Sequence, residues 1–247
     1  VMSIMIPLAF FLCVNLPSEK GFSRRIGDPT KEEIEATGGV AVTKRGITGA
    51  QALKMPRWWC QFLAALITMI CASGFTTQAV AYFTDIGVEN GAAIYAGALG
   101  TLIVGKFIVG AISDVINIKR VAVIAPLFYC GVFICLALCS KDIGWSKGVI
   151  ACYMIGGAIP SVVPALLTVR NFGDKDYGTM AGWMNMAGNI GQIIGPIIAA
   201  MVFDVTGTYV GAWYVFAGLF ILVAVLYYLS GVLNKKELLA NGYDPDL

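Results

Sequence analysis

GKFIVGAISDVINIKR, residues 105–120, begins inside an apolar run and ends on the basic pair Lys119–Arg120. A run of roughly 18 or more residues with few charges is long enough to cross a bilayer as a helix. Residues 91–113 form such a run, broken only by Lys106. Lys106 stands eight residues before Asp114, or about 12 Å along a helix at 1.5 Å per residue. With Asp114 at one edge of a core about 30 Å thick, the ammonium falls near the midplane. A cation at that depth costs several kcal/mol unless it meets water, an anion or an acid.

The surrounding chain has the composition of a polytopic membrane protein. Of its 247 residues, 58% are hydrophobic and 13% charged, about half the charge of a soluble domain. Beyond 91–113, five more full spans are expected at 58–83, 121–140, 146–169, 178–203 and 208–232. Residues 1–16 read as the end of a further transmembrane helix, with the chain starting partway into it. Inside lipid only helices or closed barrels satisfy the backbone, and no alternating ten-residue strands occur. The expected fold is therefore all-α transmembrane, a six-helix bundle over 58–232 preceded by the end of another helix.

Basic residues set the orientation. The connection 17–57 holds eight of them, and 114–120, 170–177 and the tail 233–247 hold two each. On the opposite side only Lys141 and Lys147 appear. Basic connections stay cytoplasmic, so the 17–57 loop and the C-terminus are expected inside. Within that loop, TGAQALKMP reads as a short helix capped by Thr48 and stopped at Pro56. Trp58 and Trp59 then suit the headgroup level where the next span begins.

Enzyme chemistry finds no footing. The chain has no His, the usual base near neutral pH, and no nucleophile–base pair or metal constellation is visible. Seven cysteines (13, 60, 71, 130, 135, 139 and 152) sit in apolar runs without a C-x-x-C pair and read as small buried hydrophobes. Neither a cofactor nor nucleic-acid binding is expected; the expected surroundings are the lipid bilayer and a small-molecule substrate.

Gly110, Asp114, Lys119 and Arg120 resemble the cytoplasmic loop motif of the major facilitator superfamily, Gly-x-Leu-x-Asp-(Arg/Lys)-x-Gly-Arg-(Arg/Lys). Val115 and Ile118 stand where the motif has basic residues, and Asn117 where it has glycine, although Asn also tolerates a left-handed turn. The resemblance implies the C-terminal half of a twelve-helix transporter, with the end of helix 6, a central loop, helices 7–12 and a partner in the N-terminal half of the same protein. Ala52–Trp59 entering the seventh helix, and Gly195–Pro196 followed by Asp204–Tyr209 closing the eleventh, resemble the monocarboxylate and oxalate–formate branches. The resemblance to the monocarboxylate-type families implies a carboxylate-binding arginine at the position of Lys106. Lysine keeps the charge but not the two-pronged grip. The oxalate–formate branch also implies a lysine on the eleventh helix, and none is present. Gly110, Asp114, Lys119 and Arg120 are implied to form a conformational switch, Asp114 pairing with the start of the eleventh helix; the plainer reading of Asp114 is a topology marker.

Other candidates come from spacing. Asn185, Asn189 and Gln192, four and three apart, share a helix face, either lining an aqueous path or bonding between helices. Gly188, Gly191 and Gly195 form a separate strip that lets a neighbouring helix approach. Thr77, Gln78 and Tyr82, with Ser73 and Thr76, are polar cavity candidates in the seventh helix. Pro160 and Pro164 behind Gly156–Gly157 are expected to bend the tenth. The leading expectation is a symporter or antiporter of the plasma (cell inner) membrane moving a small organic anion, monocarboxylate-like, by alternating access. A carrier of a neutral polar or drug-like solute with Lys106 structural, and a non-transporting sensor or assembly subunit, remain as alternatives.

Overall fold

In the computed structural model the described residues are 47–115, 118–173 and 175–240, all within one compact unit, Arg45–Leu247. Residues 1–16 and most of 17–57 lie outside them. Among the described residues the chain is helical: α1 Gly49–Ala52, α2 Pro56–Asp85, α3 Gly91–Val115, α4 Ile118–Cys139, a 3₁₀ turn Ile143–Trp145, α5 Ser146–Gly156, α6 Ile159–Phe172, α7 Tyr177–Thr206 and α8 Val210–Ala240. Among the described residues six spans are long and apolar enough to cross a membrane, with α5 and α6 together making one, Ile143–Phe172. The expected six spans are thus present, each within a few residues of its expected bounds.

Local chemistry explains where the elements begin and end. Thr48 caps α1 by accepting from the Gln51 amide, while the Gln51 side chain accepts from the Thr48 amide, a reciprocal arrangement that satisfies two orphan donors. Pro56 does not stop α1, which ends at Ala52; it opens α2 as an N-terminal residue, where its missing N–H is no loss. Gly207, with φ 69°, ends α7 by donating to the Phe203 carbonyl at 2.7 Å, a left-handed cap that favours glycine. α8 runs on to Ala240, so residues 233–240, expected as tail, continue the last helix.

The bend expected from GGAIPSVVP is a break. α5 ends at Gly156 and α6 begins at Ile159. Pro160 has no N–H to reach the Gly156 carbonyl, and its ring crowds the preceding turn. The chain crosses the gap with Gly157 donating to Tyr153 at 2.8 Å and Ala158 to Ile155 at 3.3 Å.

α2 packs most extensively on α7, and α4 on α8. The α2–α7 seam uses the glycine strip: a Cβ on Gly191 would lie 2.6 Å from the Leu66 carbonyl oxygen, and one on Gly195 would overlap the Ile70 carbonyl and the Ser73 hydroxyl. The core is aromatic, built from Phe75, Tyr82, Tyr129, Phe133, Trp213, Phe216 and Phe220, all fully buried. Tyr129 stacks on Phe220 with centroids 4.4 Å apart. The spans differ in cover. α4 is 61% buried along its apolar window, whereas α7 is 28% and α3 only 17% buried, so the helices carrying Lys106 and the amide residues are those least wrapped by their neighbours.

Candidate functional site

The seam between α2 and α7 fixes how α7 presents its other faces. Met184, Ala187, Gly188, Gly191, Gly195 and Ala199 are buried, the three glycines against α2. Met186, Ile190, Ile193, Ile197 and Met201 form an exposed apolar face. Between the two runs a third strip, Asn185, Asn189 and Gln192, all exposed.

That strip forms one wall of a cavity of about 290 Å³. α6 supplies the facing wall with Pro160, Ser161, Pro164, Ala165 and Thr168, and Ala65 and Met69 of α2 form the floor. Tyr177, Ala181 and Met184 extend the α7 side. Among the described residues no hydrogen bond joins Asn185, Asn189 or Gln192 to another group, so the reading as glue between helices is not what these helices display. The hydroxyls opposite are engaged. Ser161 donates to the Ala158 carbonyl at 3.3 Å, and Thr168 donates to that of Pro164 at 2.7 Å while accepting from Gln61 at 2.8 Å.

Gln61 ties this wall to a buried polar network behind it. Asn171 donates to Gln61 at 3.2 Å, Asn234 donates to Asn171 at 3.2 Å, and Arg57 donates to Asn234. Arg57 also lies over the Phe172 ring at 5.0 Å, and Ser230 donates to the Arg57 carbonyl at 3.3 Å. α2, α6 and α8 are thereby locked together just behind Thr168. On the adjoining side, Gly49 of α1 donates its N–H to the Asp176 carboxylate at 2.8 Å, and Thr179 donates to the other oxygen at 2.8 Å. These bonds, the Gly49 one first, hold Asp176 below the usual carboxylate pKa.

The other expected residues fall elsewhere. Lys106 is exposed on α3 and does not line this cavity. It shares a strip with Leu99, Gly110 and Ser113, between the buried seam of Ala98, Gly105 and Val109 and the apolar face of Ile103, Val104 and Phe107. Tyr82 is core, not cavity: it is fully buried and donates to the Leu136 carbonyl. Thr77 is exposed but donates to its own helix at Ser73, 2.8 Å away, as Thr76 does at 3.1 Å. Gln78 accepts from Tyr209 at 3.3 Å. Ser73 is buried and reaches the Gly191 carbonyl at 3.3 Å. Gly110 is half-buried and Arg120 exposed; the side chains of Asp114 and Lys119 lie outside the described set. Ser161, Thr168 and Tyr177 were not expected in the site, although the seven-residue spacing of Ser161 and Thr168 around Pro164 puts them on one helix face.

A family model described as Major Facilitator Superfamily matches residues 1–188 and 103–241 of the chain. No curated protein matches it.

Proposed function

The chain belongs to the major facilitator superfamily, and on that premise we propose that it is a half of a secondary transporter that moves a small polar organic solute by alternating access. The single observation that carries the reading is the cavity beside α2, with three unbonded carboxamides on its α7 wall. Such groups stay uncommitted in a membrane protein where water and cargo satisfy them in turn. The six-helix N-terminal half would close over the exposed strips of α3 and α7 and complete the path. The basic connections suit a plasma-membrane carrier with its 17–57 loop and C-terminus in the cytoplasm.

A specific observation also favours the organic anion. Lys106 is exposed at mid-span, no carboxylate among the described residues pairs with it, and ionisable residues at such depth face a bundle interior or water. In that second reading Lys106 meets the carboxylate from α3, at a place apart from the α6–α7 cavity, as the monocarboxylate-like branches would have it. Uptake of labelled monocarboxylates into proteoliposomes containing the full chain is the test. Lys106→Ala is expected to abolish anion uptake; wild-type uptake by that variant sinks the anion reading. Asn189→Leu is expected to abolish uptake of any cargo held at the cavity, and unchanged uptake by it sinks the carrier site proposed here.

A further inference from the structure

We infer that the α6–α7 cavity is shaped for an uncharged, slender organic molecule, one edge of which carries hydrogen-bonding groups and the other is apolar. Lys106 takes no part in holding it. This deepens the carrier reading and rests on the cavity being the cargo site.

The amide wall sets the polar edge. From Asn185 to Gln192 is seven residues, about 10 Å along the helix at 1.5 Å per residue, with Asn189 between. Each carboxamide offers one acceptor oxygen and two donor hydrogens, and none is used by a described neighbour. Donors and acceptors are therefore both on offer at each step of the wall, which matches amide, hydroxyl or urea groups better than a group that only accepts.

The facing wall sets the apolar edge. Pro160, Pro164 and Ala165 are apolar, and the two hydroxyls on this wall, Ser161 and Thr168, already donate to the Ala158 and Pro164 carbonyls. Gln61 is a positioning residue. By donating to the Thr168 hydroxyl at 2.8 Å, it ties that hydroxyl to the buried network behind the wall. Met69 on the floor adds a thioether that adapts to irregular apolar shapes.

Charge decides the class. Among the described residues no Lys, Arg, Asp or Glu lines the cavity. An anion entering it leaves water without gaining a counter-charge from these walls, and burying an unpaired charge is far more unfavourable than burying a hydrogen-bonded amide. At about 290 Å³, the cavity lies at the small end of ligand sites, which suits a narrow cargo.

The test compares linear diamides with dicarboxylates of equal length, using the full chain in nanodiscs and titration calorimetry, with uptake of the labelled compounds into proteoliposomes. Suberamide, long enough to meet Asn185 and Gln192 together, is expected to bind about tenfold more tightly than succinamide, the gain of one further hydrogen-bonded end. Asn185→Leu and Gln192→Leu, both at exposed positions, are each expected to erase that length dependence. Asn185→Ser should retain part of it. Tighter binding of suberate than suberamide, lost in Lys106→Gln, overturns the neutral class while leaving the carrier reading standing. Absence of binding and of uptake for both series overturns this inference and the cargo site together.

Discussion

The seam that orients the amide strip is the part of the structure most open to a sharp perturbation. A methyl group on Gly191 would lie 2.6 Å from the Leu66 carbonyl oxygen, 2.9 Å from the Met69 Cβ and 3.0 Å from the Ile70 amide nitrogen. Two of those three atoms belong to the α2 backbone, which cannot turn aside as a side-chain tip can. Ordinary contact begins at 3.4 Å, so the helices must part by about 0.8 Å along that direction. Overpacking of this kind costs about 1–3 kcal/mol, offset by up to about 1 kcal/mol from the better helix propensity of alanine. Gly191→Ala is therefore expected to destabilise the protein by about 1–2 kcal/mol. Gly182, on the same helix, has nothing within 4 Å of its Cβ position, and Gly182→Ala should be neutral or stabilising by up to about 1 kcal/mol. Unfolding of the full chain in mixed micelles by increasing SDS, followed by far-UV circular dichroism, measures both. Equal shifts for the two variants would falsify the claim that α2 and α7 meet backbone to backbone at this strip.

Three further outcomes are expected. Gln61→Leu removes the bonds to Thr168, the Pro164 carbonyl and Asn171 inside a buried network; a loss of about 1–3 kcal/mol is expected in the same SDS titration, and a neutral result would deny the network a structural role. Tyr82→Phe should cost about 0.5–1.5 kcal/mol by losing its bond to Leu136 with KM for the cargo unchanged, whereas a raised KM would return Tyr82 to the binding site. Asp176 titrates below the ordinary carboxylate range because of its bonds from Gly49 and Thr179. Its contribution is full above that ordinary range and is lost as pH falls through the lowered value. An acid limb in thermal stability that is shallower in Asp176→Asn is the expected result, and an identical limb in both proteins counts against the Gly49–Asp176 contact.

The spans were legible because bilayer thickness sets a length that apolar runs must match, and no tertiary detail enters that comparison. The amide strip and the glycine strip of α7 were legible for a related reason: helical spacing alone assigns 185–189–192 and 188–191–195 to different faces. What spacing does not give is which neighbour each face meets. Tyr82 shows the consequence. A tyrosine near a helix end has the same sequence signature facing a cleft or a core, although its fellowship with Phe75, Ala79 and Phe83, all buried, was a sign of the core. The Arg57–Asn234–Asn171–Gln61 network had no signature at all, since its members come from three helices and meet only after packing. At 156–160 the prolines announced a disturbance, but whether the helix bends or breaks depends on the Gly156–Gly157 pair beside them and on what packs there.

The exposed strips of α3 and α7 constrain what can lie beside them in a membrane. On both helices a buried seam, a polar strip and an apolar face follow one another around the axis. Ile103, Val104 and Phe107, like Ile190, Ile193 and Ile197, are suited to acyl chains. Lys106 and the three amides are not, because each polar group left unsatisfied in hydrocarbon costs several kcal/mol and a charge at least ~2.5. Summed over one ammonium and three carboxamides, that penalty rivals the whole stability of a typical domain, about 5–15 kcal/mol. Lipid is therefore a costly neighbour for these strips, and water or further protein suits them better. The low cover of α3 and α7 within the bundle thus combines apolar faces suited to acyl chains with polar strips suited to water or protein.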